Sequence, residues 1–170
     1  MDQIMPDTTV TEAEYRALSD FVYLECQLAD EGRWDEWEDL LADDMHYWVP
    51  ATLDAPDPDR DVSIINDNRS RLATRLKQLR TGTRLAQAPK SAMRRLISNL
   101  VVRREGDGEY TAEANFVIYE LQSQSTMTLN QWPGRVIYHL RSKGAGFEMA
   151  RKRVDLVAVA GGIPSLGFIV

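Results

Sequence analysis

One cysteine and two histidines are all the soft and imidazole donors this 170-residue chain carries, and the shortage removes several chemistries at once. Cys26 has no partner for an internal disulfide, and a lone thiolate cannot build an iron–sulfur or thiolate zinc site, each of which takes several. His46 and His139 lie far apart in the chain, so no helix-borne HExxH exists. Neither EGDGE nor SKGAG opens the strand–glycine–helix unit that cradles phosphate, and no GxSxG elbow is present. No stretch approaches the roughly 18 apolar residues of a membrane span. The opening MDQIMPDTTVTEAEY is acidic where a secretory leader is basic. A soluble, cytoplasmic protein without membrane contact is therefore expected.

Aromatic residues are missing where they would matter most. Residues 1–67 hold 19 acids and 3 bases, residues 68–104 hold 11 bases and no acid, and the remainder is nearly balanced. A basic block of that density is the footprint of a nucleic-acid surface when aromatics interleave it for base stacking. Residues 68–104 contain no Phe, Tyr or Trp. The expectation is no nucleic-acid partner, with the basic segment folded against the acidic one or against an acidic neighbouring subunit.

What is present reads as one domain over residues 1–170, with 1–10 as a flexible start. An apolar share of 44% supplies a single core. Thr11 and Glu14 form a capping box ahead of a helix whose stripe is Leu18, Phe21, Val22, Leu28 and Ala29, closed by Gly32. Glu25 lies about 20° from Leu18 around that helix, which places a carboxylate within the apolar stripe. Neutralisation by an arginine from another element, Arg94 or Arg95, is the expected fate of that charge. Trp34, Trp37, Leu40 and Leu41 pattern a short second helix, Asp43 and Asp44 a turn, and Met45 to Pro50 a strand with His46 and Trp48 on one face. ATLDAPDPDRD reads as an exposed loop, Val62 to Ile65 as a short strand, and Asn68 as the cap of a third helix bearing Leu72, Leu76 and Leu79. Four long antiparallel strands follow, roughly Arg94–Arg104, Tyr110–Gln122, Arg135–Arg141 and Phe147–Val159. Helices ahead of a meander argue an α+β fold, a strongly curved, mostly antiparallel sheet forming a cone around packed N-terminal helices. The closing SLGFIV is apolar and needs the sheet or another subunit to cover it.

Two functions fit this pattern. A cone with a polar-lined pocket would use His46, Tyr47, Asp44, Glu25 or His139 for proton transfer on a small apolar ligand, as a free-standing lyase or isomerase does. A facial iron triad would consume both histidines and borrow Asp43 or Asp44, and nothing in the spacing selects that geometry. Cys26, inside a helix, reads as a packing group.

The other function comes from a resemblance. YLECQLAD, GRWDEWEDLLADDMHYWVPA, NDNRSRLATRL, SAMRRLISNLVV, WPGRVIYHLR, RKRVDLV and LGFIV, in that order and spacing, resemble the small (β) subunit of Rieske non-haem iron aromatic-ring-hydroxylating dioxygenases over nearly the whole chain. The resemblance implies the cone fold shared with nuclear transport factor 2, ketosteroid isomerase and scytalone dehydratase. It implies a partner α subunit holding a Rieske 2Fe-2S cluster and a mononuclear iron, commonly in an α3β3 hexamer with a trimer of small subunits. Electrons would come from NADH through a reductase, with or without a ferredoxin. On that reading this chain holds no cofactor, and no catalytic, cofactor-binding or metal residue is assigned to it. Arg94, Arg95, Arg103, Arg104 and the apolar tail are the groups expected to meet a neighbour.

Overall fold

The computed structural model describes residues 9–81, 90–122, 127–162 and 166–170. Most of the expected flexible start, and the loop leading to Pro89, lie outside the described residues. Helix α1 runs Glu12–Glu31, with both halves of the Thr11/Glu14 capping box formed and Gly32 closing it in the left-handed region at φ 67°. These contacts satisfy orphan backbone groups at both ends. Helix α2 is Trp34–Asp39, and strand β1 follows at once as Leu41–Pro50. The expected turn at Asp43–Asp44 is instead part of β1. The register against the neighbouring strand slips between Leu41 and His46, and that irregularity leaves both carboxylates exposed in succession.

Strand β2 (Ser63–Asn68) leads into helix α3 (Arg69–Thr81), and the Asn68 side chain accepts the Arg71 N–H at 3.0 Å, as an N-cap does. Strands β3 (Ala92–Gly106), β4 (Glu109–Leu121), β5 (Leu129–Lys143) and β6 (Gly146–Leu156) complete a six-stranded sheet ordered β2-β1-β6-β5-β4-β3. Only β1 and β6 pair in parallel. Strand β5 starts six residues before the expected Arg135, because its pairing with β4 extends out to Leu129 opposite Leu121. Strand β6 stops at Leu156, where a short 3₁₀ helix, Val157–Gly161, replaces the expected continuation to Val159.

Curvature has a local cause in β3. Arg95 and Ile97 face inward opposite Ile118 and Phe116, but after an irregularity at Ser98–Val101 the inward residues become Val102 and Arg104. Asn99 sits there at φ 53°, a conformation asparagine tolerates better than most residues. Gly134 on β5 serves the same end, since a Cβ there would come within 2.7 Å of the Phe116 ring and 2.6 Å of the Asp155 carbonyl oxygen. The sheet bends around α1, whose Leu18, Phe21, Val22, Leu28 and Ala29 are buried against its inner residues Ala112, Ala114, Ile118, Val136, Leu140 and Val154.

The charge asymmetry resolves inside the molecule. Arg69 and Arg80 bind Glu38, Arg75 binds Asp67, Arg95 binds Asp30, and Arg104 binds Glu14. Five bases of the 68–104 block are thereby matched with acids of the first segment.

Candidate functional site

The interior of the cone is where an enzyme of this shape would do chemistry, and its polar centre is Glu25. Placed by α1 among apolar neighbours, this fully buried carboxylate accepts from Lys152 Nζ at 2.7 Å, Trp37 Nε1 at 2.7 Å and the Tyr138 hydroxyl at 2.9 Å. The expected arginine partner is thus corrected to a lysine on β6. Strand periodicity turns Lys152 inward with Val154 and Leu156, while Arg151 and Arg153 face outward. Burial pushes the Glu25 pKa up, but the Lys152 and Arg95 charges and the hydrogen bonds from Lys152 and Trp37 outweigh it, so the carboxylate stays ionised. Burial and the Glu25 charge raise the Tyr138 pKa well above its usual range. Burial, then Glu25, pushes the Cys26 thiol up to about 12. A thiol held protonated in that way is a packing group rather than a nucleophile.

Little space remains around this cluster. Glu25, Cys26, Arg95, Tyr138, Lys152 and Val170 line a cavity of about 10 Å³, room for about one water molecule. Leu166, Phe168, Ile169 and Val170 are buried in the same core. Phe168 packs edge-on to Trp132 at 5.7 Å, the Val170 N–H donates to the Tyr47 hydroxyl at 3.0 Å, and Arg95 donates to the Ile169 carbonyl and to Asp30. The Tyr47 hydroxyl, pushed up to about 12 by burial, accepts that backbone bond.

The remaining proton-transfer candidates are elsewhere. His46 and His139 stand on the outer face of the sheet, in register on either side of Arg151. His46 Nε2 is 2.7 Å from Asn66 Oδ1. Burial, and secondarily Arg151, holds the His139 pKa below its usual value. Asp44 forms a two-point ion pair with Arg141 at 2.7 and 2.9 Å. Among the described residues no three His, Cys, Asp or Glu side chains converge as a metal site. The set named for lyase chemistry is therefore divided by the sheet: Glu25 and Tyr47 lie inside, while His46, His139 and Asp44 lie outside.

Two of the four arginines expected at an interface are consumed internally. Arg95 ties α1 to the Leu166–Val170 segment, and Arg104 binds Glu14 at 2.5 Å. Glu14, also bonded to Thr11 and Tyr110, has its pKa lowered to about 2, chiefly by the Thr11 backbone N–H. Arg94 and Arg103 remain exposed on the outer face. Arg151 and Arg153, which share that face, escaped sequence reasoning although RKR in a strand signals two outward bases flanking an inward one.

Comparison with known proteins accords with this geometry. The biphenyl 2,3-dioxygenase β subunit of Rhodococcus jostii is 27% identical over 146 residues, covering 81% of this chain and 78% of that protein. The solved benzoate 1,2-dioxygenase β subunit of Burkholderia mallei superposes with a TM-score of 0.74 at 22% identity, covering 95% of this chain and 99% of that one. A scytalone dehydratase-like structure from Novosphingobium aromaticivorans shares the fold with a TM-score of 0.67 at 11% identity, covering 93% of this chain and 89% of that one. A sequence profile described as the ring hydroxylating beta subunit matches residues 24–160, and a match over most of the length places the chain in that family: it is a β subunit of the aromatic-ring-hydroxylating dioxygenase class.

Proposed function

We propose that this chain is the non-catalytic small subunit that supports assembly of an iron-containing α subunit adding dioxygen to an aromatic ring in cytoplasmic aromatic catabolism. Residues 1–170 act as one cone domain, and copies of it associate as the trimer of an α3β3 complex. Electrons reach the α subunit from NADH through a reductase, with or without a ferredoxin. The observation that carries this reading is the packing around Glu25: Leu166, Phe168, Ile169 and Val170 are buried in the core, and the cavity beside the carboxylate, lined by described residues, is about 10 Å³. The donor set fits neither iron centre of such a complex. One buried protonated thiol cannot replace two cysteine ligands, and the two histidines are held apart by Arg151 and its charge. The chain contributes surface and rigidity instead.

The test is co-expression with the neighbouring gene that encodes a Rieske-type large subunit, followed by sizing and by oxygen uptake with aromatic acids and hydrocarbons. A stable complex with substrate-dependent uptake that the large subunit alone lacks is the expected result. Turnover of a small molecule by the purified small chain would reverse the assignment.

A further inference from the structure

Arg151 carries a charge that no carboxylate in the described chain meets. It lies at the middle of the outer sheet face, with His46 beside it on β1 and His139 on β5. Its Nε is buried and has no hydrogen-bond partner, a state that native proteins rarely leave unexplained. The groups around it are themselves cationic or already matched. Arg153 stacks on Trp48 at 4.5 Å and binds Asp155, while Arg103 and Arg135 share Glu113. Arg151 also lies over the Trp48 ring, at 5.5 Å.

The composition of this face is selective. Around Arg151 the face carries Arg103, Arg135 and Arg153, answered by Glu113 and Asp155, and towards its far end Arg141 and Lys143 are matched by Asp44, Glu109 and Glu148, while Lys152 points inward. Arginine and tryptophan are the residues that protein interfaces concentrate, and lysine the one they avoid. Beside the arginines, exposed Leu53 and Val157 border a groove floored by Pro133 and Gly134. A cationic, partly apolar face of this kind sits on a chain whose net charge is −6.

The complementary charge is on the same molecule. The corner where α2 meets β1 exposes Asp39 and Asp43, which form no ion pair among the described residues although both feel the Lys143 charge, along the same helix as the largely exposed Asp35. We propose that the outer sheet face centred on Arg151 receives this acidic α2–β1 corner from a second copy of the chain, with Asp39 and Asp43 supplying the carboxylates that Arg151 lacks. Two copies meeting sheet to sheet about a two-fold axis would bring like charges together, so the contact is head to tail, and each copy offers both faces. This inference rests on the reading that copies of the chain associate, and it adds which surfaces do so.

Sedimentation velocity on the full chain tests both parts, with circular dichroism to verify that each variant folds. The wild-type chain is expected to associate at low salt and to weaken as salt rises. Arg151→Glu and the double variant Asp39→Lys/Asp43→Lys should each weaken association at least tenfold, and combining all three substitutions should recover much of it. Arg151→Gln, which introduces no new charge, serves if the glutamate variant does not fold. A wild-type chain that stays monomeric throughout removes the association itself. Association that persists unchanged in the Arg151 variants overturns the assigned face while leaving association intact. Sensitivity to Arg151 without sensitivity to Asp39 and Asp43 overturns the choice of occupant.

Discussion

The Glu25–Lys152 pair shows how one residue can be legible in sequence while its partner is hidden. The 3.6-residue period exposes Glu25 as a carboxylate within an apolar stripe. Its partner lies 127 positions away on β6, and Lys152 looks like one more base in a basic triplet. Breaking a buried pair leaves an uncompensated charge, so Lys152→Met should cost about 3–5 kcal/mol, measured by denaturant unfolding. Adding Glu25→Gln to that variant should restore a good part of the loss. A cost below about 1 kcal/mol for the single variant would mean the carboxylate is solvated or protonated. His139 gives a second test at this scale. Burial, then Arg151, lowers its folded pKa below the unfolded 6.5, so the unfolded chain takes up its proton first. The associated stability is present above pH 6.5 and is lost as pH falls through the folded value. His139→Gln should flatten that part of the stability curve, as followed by unfolding midpoints between pH 5 and 8.

At the scale of elements, capping chemistry made both ends of α1 and the start of α3 easy to delimit, whereas α2, which has no side-chain cap, stops at Asp39 and leaves the expected helical Leu41 to β1. Thr11, Glu14, Gly32 and Asn68 each perform the backbone task their side chains, or the lack of one, suit them for. Strand boundaries were less legible because pairing, not local preference, sets them. Leu129–Gly134 becomes strand by bonding to Glu120 and its neighbours, and Asp43–Asp44 stays in β1 because a register slip accommodates two outward carboxylates. The bend of the sheet depends on two backbone positions, Asn99 and Gly134. Gly134→Ala should destabilise by about 1–3 kcal/mol through overpacking against Phe116 and the Asp155 carbonyl, read as a lowered denaturant midpoint. Phe116→Leu in the same chain should relieve part of this strain, and absence of any rescue would assign the cost to the Asp155 contact alone.

For the whole molecule, the decisive arrangement is the burial of the Leu166–Val170 segment in the core of the cone. Phe168→Ala should cost about 3–5 kcal/mol by thermal or denaturant unfolding, since the ring is buried against Trp132. On the scaffold reading, oxygen uptake per assembled complex should hold steady in this variant while its yield falls. Uptake that collapses in fully assembled complex would point to chemistry inside the cone. Composition and periodicity determined the α+β class, the helix ends, the donor shortage and the segregation of charge, because each is a local or additive property of the chain. The folded arrangement alone decided that Lys152 neutralises Glu25, that Arg95 and Arg104 serve the interior while Arg151 is left facing outward, and that the candidate acid–base groups fall on opposite sides of one sheet. Those outcomes depend on contacts between residues distant in sequence, where a shift of one residue in strand register exchanges inside for outside.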